Sequence, residues 1–296
     1  MTSPRHFSYF LALGLFWGIS PSLYRHWGHI GMPPTHVIVV TGLGVGVILA
    51  ILGTVRGISW AGGWPLQFYG AGCAALLNVP FAMGLYFARH VPPTELALII
   101  STAPIVNYLI ALVTRRENAA PRRLLAIALG FASTALLVTT RQGMLSGEVS
   151  WWLIGSFSLP ILYSGYNWFA AIWWPRDSHA IAAGVAESLW SGLLALPFLY
   201  YFAPPWSNGQ LPIAAYVTVG LACLMWTAER IAFFTLIREK GAMFTVQAIY
   251  LSTPAAVVIA VAFFGGADIW LFVSLAILML ALWFNNSGSA ARPMSA

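Results

Sequence analysis

Residues 94–138 contain two apolar segments on either side of the most charged loop in the chain, and read TELALIISTAPIVNYLIALVTRRENAAPRRLLAIALGFASTALLV. The apolar segments run from Leu96 to Thr114 and from Leu124 to Val138. A helix of about 20 apolar residues is long enough to cross the ~30 Å hydrocarbon core of a bilayer. Two such helices joined by RRENAAPRR form a hairpin, and the arginines of this loop favour its placement on the cytoplasmic side. The rest of the chain repeats this pattern.

The composition is that of an integral membrane protein. Of 296 residues, 59% are hydrophobic and only 7% are charged, whereas a soluble domain carries about 25% charged residues. The net charge of +6 does not indicate a nucleic-acid partner, because the arginines lie at the ends of apolar segments, where they determine topology. We therefore predict an all-α integral membrane protein that is surrounded by membrane lipids and binds no nucleic acid.

Apolar segments of membrane-spanning length recur along the whole chain, and we predict ten transmembrane helices. Their approximate ranges are 7–27, 35–55, 65–88, 94–114, 122–140, 151–174, 179–203, 211–237, 242–264 and 268–285. Most Lys and Arg residues fall on one set of alternating loops, at Arg5, Arg56, Arg115, Arg116, Arg122, Arg123, Arg176, Arg238, Lys240 and Arg292. The opposite loops hold Arg25, Arg89 and Arg141. Because loops rich in Lys and Arg stay in the cytoplasm, we predict a multi-pass protein of the inner (plasma) membrane with both termini cytoplasmic.

The predicted spans divide into two repeats of five, residues 1–148 and 149–287, followed by a mobile C-terminal tail at 288–296. At an offset of 150 positions, identical residues pair as Gly70 with Gly220, Cys73 with Cys223, Ala82 with Ala232, Ile99 with Ile249, and Pro104 with Pro254. An odd number of spans per repeat inverts the second copy. Accordingly, the counterpart of RRENAAPRR is GGADIW at 265–270, which contains no arginine. Inverted repeats with a binding site near the middle of the membrane are a recurring plan of secondary transporters.

Polar and aromatic side chains inside the predicted spans are the candidates for substrate binding, because polar groups in a membrane tend to face the protein interior or a water-filled cavity. The amide of Asn78 offers donors and acceptors that suit a zwitterionic ligand, and its alternative role is a helix–helix hydrogen bond. For Ser101 the alternative is a hydrogen bond to its own helix. The predicted substrate-binding residues are Trp17, Ser20, Asn78, Ser101, Tyr163, Asn167, Trp168, Glu229 and Tyr250.

Two acidic residues, Glu187 and Glu229, lie well inside predicted spans. Their structural roles would be to pair with a partner on a neighbouring helix or to extend toward the cytoplasmic end of the eighth span. Their functional role would be contact with a ligand's ammonium group or with a coupled proton. Glu229 precedes Arg230, but adjacent residues point about 100° apart on a helix and need not pair. We include Glu229 in the predicted site and leave Glu187 as an alternative. Glu117, in the charged loop, is predicted to cap the hairpin or set its topology.

Prolines inside predicted spans are candidate hinges, because a proline removes a backbone hydrogen bond and permits a kink. Kinked helices can bend between inward-facing and outward-facing states. The predicted hinge or gating residues are Pro80, Pro104, Pro160 and Pro254. In the second span, Gly42 and Gly46 have the four-residue spacing of small residues that predicts close helix packing.

Several short motifs resemble those of a known transporter group. They are LFWG at 15–18, STAP…RRE at 101–117, AIALGFASTALLV at 126–138 and YLSTP at 250–254. As an ordered set they resemble the drug/metabolite transporter superfamily, and within it the ten-helix EamA-type exporters, nearest to the amino-acid exporters, including the aromatic amino-acid exporter group. The glutamate expected after the second-half motif is absent, because Ala267 stands there with Asp268 beside it. The resemblance implies ten helices around a central cavity, alternating access, and export of amino acids or related metabolites.

Motifs for enzymatic chemistry are absent from the sequence: it has no HExxH, no carboxylate pair, no Cys/His metal set and no phosphate-binding loop. We therefore predict no enzyme activity, cofactor, metal or ATP-driven pumping. The predicted function is a secondary transporter that exports amino acids or related small metabolites across the inner membrane. The alternatives are an exporter of drugs, sugars or nucleotide-type metabolites, a membrane-embedded enzyme acting on lipid, and a passive channel. One chain holds both repeats, so we expect a monomer whose partners are lipids and a small-molecule substrate.

Overall fold

The computed structural model describes residues 4–115, 118–141, 151–202 and 213–287. Across these ranges all regular structure is helical and no strand occurs, which confirms the all-α prediction. The predicted role of Glu117 and the predicted mobile tail at 288–296 fall outside the described residues.

The helices follow the apolar segments of the sequence closely. In chain order they are α1 Pro4–His29, α2 Pro34–Val55, α3 Trp64–Phe87, α4 Pro93–Ile100, α5 Ala103–Val113, α6 Pro121–Arg141, α7 Trp151–Ser156, α8 Ser158–Ile172, α9 Ala180–Phe202, α10 Ile213–Lys240, α11 Ala242–Thr245, α12 Ile249–Phe264 and α13 Ile269–Ser287. A short 3₁₀ helix, Val246–Ala248, connects α11 and α12.

Seven segments within the described residues are long and apolar enough to cross a membrane: Pro4–His29, Pro34–Val55, Trp64–Phe87, Pro93–Val113, Ala180–Leu199, Ile213–Lys240 and Ala242–Phe264. At the other three predicted spans the chain forms α6, the pair α7–α8, and α13, which includes a shorter apolar helix at Ile269–Asn285. These lengths and compositions support a multi-pass membrane protein. The count of ten spans and their inverted arrangement stay predictions.

Two of the four predicted hinge prolines coincide with breaks between helices. The ring of a proline in a helix clashes with the carbonyl four residues earlier. The helix α4 ends at Ile100, four residues before Pro104, and α7 ends at Ser156, four residues before Pro160. In contrast, α3 continues past Pro80 and α12 continues past Pro254.

Glycines bring the two halves of the sequence into close contact around α9. A Cβ atom added to Gly42 of α2 would lie 2.6 Å from the backbone nitrogen of Gly192 in α9. One added to Gly70 of α3 would lie 2.6 Å from the Cβ atom of Ala186, also in α9. Gly46 approaches α9 at Leu189 in the same way. The close packing predicted for Gly42 and Gly46 is therefore confirmed, and it places α9 directly against α2 and α3.

Candidate functional site

A cavity of about 150 Å³ lies among α1, α2, α3, α4, α5, α8, α9, α10 and α12. Both halves of the sequence contribute to its wall, and the wall contains polar, charged and aromatic side chains. We call the residues that line this space the cavity wall. They include Tyr24, Thr41, Phe81, Tyr166, Glu187, Ser188, Ser191, Trp226, Arg230, Phe233, Ser252 and Thr253, besides the predicted residues described next.

The structure brings six of the nine predicted substrate-binding residues together in the cavity wall. They are Trp17, Ser20, Ser101, Tyr163, Asn167 and Glu229. The other three, Asn78, Trp168 and Tyr250, lie outside the wall, as do the four predicted hinge prolines.

Asn78 and Tyr250 instead make hydrogen bonds between helices. The Asn78 Nδ2 atom donates to the Ser191 carbonyl at 2.9 Å, and Ser191 Oγ donates to Asn78 Oδ1 at 2.5 Å. The Tyr250 hydroxyl group donates to the carbonyl of Leu282 in α13. For Asn78 this is the alternative role considered from the sequence, and it joins α3 to α9. Trp168 is half-buried in α8.

A buried charged cluster forms one side of the cavity wall. The Arg230 guanidinium group lies between two carboxylates, with Nε 3.1 Å from Glu187 Oε2 and Nη1 2.7 Å from Glu229 Oε2. Side-chain exposure is 0% for Glu187, 3% for Glu229 and 16% for Arg230. We refer to these three residues as the Glu–Arg–Glu cluster. Because α9 supplies Glu187 and α10 supplies the other two, the cluster also fixes these helices relative to each other.

The remaining carboxylate oxygens of the cluster accept hydrogen bonds from two aromatic side chains. Trp17 Nε1 in α1 donates to Glu229 Oε1 at 2.9 Å, and the Tyr166 hydroxyl in α8 donates to Glu187 Oε1 at 3.0 Å. Three of the four carboxylate oxygens therefore accept a hydrogen bond, whereas Glu187 Oε2 has only the ion-pair contact with Arg230 Nε. These contacts offset part of the cost of burying the charges.

Aromatic rings cover the rest of the space in two groups. Near the charged cluster, the Phe233 ring stacks on Tyr166 with centroids 5.2 Å apart and also contacts Trp17 at 6.4 Å. In the second group, Phe81 meets Trp226 edge-on at 5.2 Å and Tyr24 at 5.4 Å. Aromatic faces attract cations as well as apolar groups, so this wall suits a ligand with an ammonium group and an apolar body.

Hydroxyl groups line the side of the cavity where α4 meets α12. The Thr253 hydroxyl donates to Ser101 Oγ at 2.6 Å, and Ser101 Oγ donates to the Ala97 carbonyl at 2.6 Å. The hydrogen bond of Ser101 to its own helix, considered as an alternative, is thus present together with its position in the cavity wall. The contact joins the fourth and ninth predicted spans at equivalent regions of the proposed repeats.

Sequence reasoning missed several wall residues, although one pattern in α10 could have revealed them. Trp226, Glu229, Arg230 and Phe233 are spaced at i, i+3, i+4 and i+7, which places them on one helical face. Once Glu229 was a candidate, this face predicted the other three. The direction of neighbouring residues on a helix does not require Glu229 and Arg230 to pair, yet the long flexible side chain of Arg230 reaches both carboxylates.

Both ends of the region around α1 carry contacts between the two halves of the sequence. At one end, His6 Nε2 lies 2.5 Å from Glu239 Oε2 of α10, and the Phe10 ring lies 5.7 Å from that of Phe244. At the other end, Trp27 Nε1 donates to Thr218 Oγ1 of α10 at 3.1 Å. In the described ranges no group of three or more His, Cys, Asp or Glu side chains is arranged to hold a metal ion.

Comparison with known families finds a match in the first half of the chain. Residues 6–139 match the model of the EamA-like transporter family, which supports the predicted resemblance over the first half of the chain. This match indicates a membrane transporter of small solutes rather than an enzyme.

Comparison with known structures extends the fold to the whole chain. One crystal structure aligns with a TM-score of 0.69 and 17% sequence identity, and the alignment covers 96% of each chain. At this identity the likeness shows the fold alone. No curated protein matches the sequence significantly.

Proposed function

We propose that this protein is a secondary transporter that exports amino acids or related small metabolites across the inner membrane by alternating access. The observation that carries the proposal is the Glu–Arg–Glu cluster beside aromatic rings in a cavity between the two halves of the chain. Buried carboxylates recognise an ammonium group, and aromatic rings accommodate an apolar side chain.

The size of the cavity favours a small ligand. Its volume is about 150 Å³, below the roughly 300–1,000 Å³ of pockets that hold drug-sized molecules. An amino acid or a compound of similar size therefore suits this state better than a large drug or a nucleotide-type metabolite.

The arrangement of the helices supports alternating access. We propose two inverted five-helix repeats, 1–148 and 149–287, with both termini cytoplasmic. The cavity lies between these halves, and contacts at both ends of α1 join them. Helix breaks before Pro104 and Pro160 provide places where the chain can bend as one end opens and the other closes.

Counterflow in liposomes tests the function. Purified protein is reconstituted into liposomes loaded with an unlabelled amino acid, and uptake of the same labelled amino acid is measured across a panel. We expect saturable exchange that Glu229→Gln abolishes, because this substitution removes a carboxylate charge while keeping the side-chain size. Tyr216→Phe, on the exposed side of the same helix, should exchange normally. Absence of exchange for every amino acid and related amine would contradict the proposed substrates, and non-saturable flux would indicate a channel.

A further inference from the structure

The charges of the cavity wall do not balance. Within the described residues, the charged side chains in the wall are Glu187, Glu229 and Arg230. Two carboxylates against one guanidinium group leave an excess of one negative charge. An uncompensated charge away from water is costly, and intramembrane ionisable groups are normally paired. The site therefore needs one further positive charge.

We propose that the Glu–Arg–Glu cluster holds one exchangeable cation: a proton on the Glu187 carboxyl group when the cavity is empty, and the ammonium group of a monocationic amine when it is loaded. The ligand part of this inference rests on the proposed transport function. In the exchange, the ammonium group of the amine takes the place of the proton. The Glu187 O–H bond breaks, and the proton leaves to solvent, so the net charge of the cluster and its bound cation is zero in both states.

The hydrogen bonds identify Glu187 as the carboxyl group that can take the proton. Glu229 accepts from the Trp17 indole and from the Arg230 guanidinium group, and both of these groups can only donate. Glu187 instead shares its Oε1 atom with the Tyr166 hydroxyl, which can donate or accept. A proton on Oε1 can therefore be donated to the Tyr166 oxygen, and the hydrogen bond survives in the opposite direction.

Among the residues that the structure describes, the groups around Glu187 supply one positive charge only. From α10 it faces Arg230 and Glu229, and from α8 it faces Tyr166. From α3 it faces Tyr69 and Cys73, which are neutral in their ordinary forms. The packed helix α2 carries no titratable side chain after His36.

The same geometry favours an amine over a zwitterion. The Arg230 Nε and Nη1 atoms are already paired with the two glutamates, so a ligand carboxylate would have to compete with them. A zwitterion would also bring no net charge and leave the excess negative charge in place. The rings of Trp17, Tyr166 and Phe233 beside the cluster add cation–π attraction for an ammonium group.

A first experiment needs no ligand. Infrared difference spectra of the protein in liposomes are recorded as pH is varied, to follow the carbonyl band of a protonated carboxylic acid. We expect a titrating band in the wild type that is lost in Glu187→Gln and kept in Asp268→Asn, a change at an acidic residue outside the cavity wall. Absence of the band from the wild type, or its persistence in Glu187→Gln, would overturn the proton site whether or not the protein transports anything.

A second experiment compares phenethylamine with phenylalanine, which differ by one carboxylate group. Calorimetric titration in two buffers with different ionisation enthalpies gives both affinity and the number of protons released. We expect phenethylamine to bind roughly tenfold more tightly or better and to release one proton, and Glu187→Gln to bind it weakly without release. Equal or tighter binding of phenylalanine, or binding without proton release, would overturn the exchange.

The experiments distinguish failure of the proposed proton–amine exchange from failure of the proposed transport function. If wild-type protein shows amino-acid counterflow but no proton release with an amine, the exchange is overturned while the transporter stands. If the titrating band is present but neither counterflow nor binding of any ligand occurs, the proton site is supported, while the exchange and the proposed function are both overturned.

Discussion

At the scale of single residues, Arg230 is the side chain on which the cavity wall depends most. It contacts carboxylates on two helices, and both carboxylates are almost fully buried. A buried ion pair often adds little to the free energy of unfolding compared with a well-packed apolar pair. Removal of one partner, however, leaves the other charge buried and unpaired. The cluster is therefore sensitive to unbalanced substitutions and tolerant of balanced ones.

This sensitivity gives a stability prediction. Arg230→Met removes the guanidinium group and leaves the buried Glu187–Glu229 pair without its positive partner, so we expect a loss of about 3–5 kcal/mol in unfolding free energy. The triple variant Arg230→Met/Glu187→Gln/Glu229→Gln should recover most of that loss, since no buried charge remains. Thermal unfolding in detergent measures both, with Leu224→Met on the exposed face of α10 as the control. Equal destabilisation of the single and triple variants would show that packing, not charge, dominates at this position.

At the level of residues, the sequence predicted which side chains face the protein interior better than it predicted what they contact there. Glu229 and Trp17 both reached the cavity wall, because a charged or large amphipathic group inside a span is costly to expose to lipid. Asn78 could serve a ligand or a neighbouring helix equally well, and its partner Ser191 lies 113 positions away. No local pattern could distinguish these roles.

At the scale of helices, close packing of α9 against α2 and α3 places Glu187 at the cavity. Gly70 lies against the backbone of α9 next to Glu187: its added Cβ would be 3.0 Å from the Glu187 nitrogen. The close packing of Gly42 and Gly46 could be predicted from their spacing in α2. The helix that they contact could not be predicted, because the spacing identifies one face of α2 but not the helix that packs against that face.

Two glycines provide a matched test of this packing. Gly42→Ala would bring a methyl group within 2.6 Å of the α9 backbone, and we expect it to destabilise the protein by about 1–3 kcal/mol. Gly220→Ala, in an open position of α10, should be neutral or stabilise by up to about 1 kcal/mol through helix propensity. The thermal unfolding midpoints of both variants test whether α2 packs tightly against α9. A Gly42→Ala protein as stable as the wild type would contradict the tight α2–α9 contact.

The four predicted hinge prolines differ in their effect on the helices, and the sequence pattern does not predict this difference. All four were predicted as hinges from the same rule, yet helices break before Pro104 and Pro160 and continue through Pro80 and Pro254. A lost backbone hydrogen bond can be tolerated inside a helix when the surrounding structure holds both sides in place. The packing around a proline, and not the proline alone, therefore determines whether the helix breaks or continues.

At the scale of the whole molecule, the helical class could be predicted from hydropathy. The motif resemblance implied a central cavity, but neither hydropathy nor motifs predicted the full set of residues that line it. Apolar length and charged ends place most spans within a few residues of the observed helices. The cavity wall contains residues from nine helices, several of them distant in sequence, and its charged cluster joins positions 187 and 230. Such contacts depend on how the halves pack, which the order of apolar segments does not specify.

In the proposed alternating-access cycle the two ends of the cavity open in turn, and the contact of His6 with Glu239 joins α1 to α10 at one end of α1. The most direct measurement is counterflow by a His6→Cys/Glu239→Cys variant, in a background with the buried Cys73 and Cys223 replaced by Ala. These thiols are joined by a short linker that contains a cleavable disulfide. We predict that linkage abolishes exchange, that reduction restores it, and that the same reagent leaves single His6→Cys protein active. Undiminished exchange by fully cross-linked protein would contradict alternating access through this cavity.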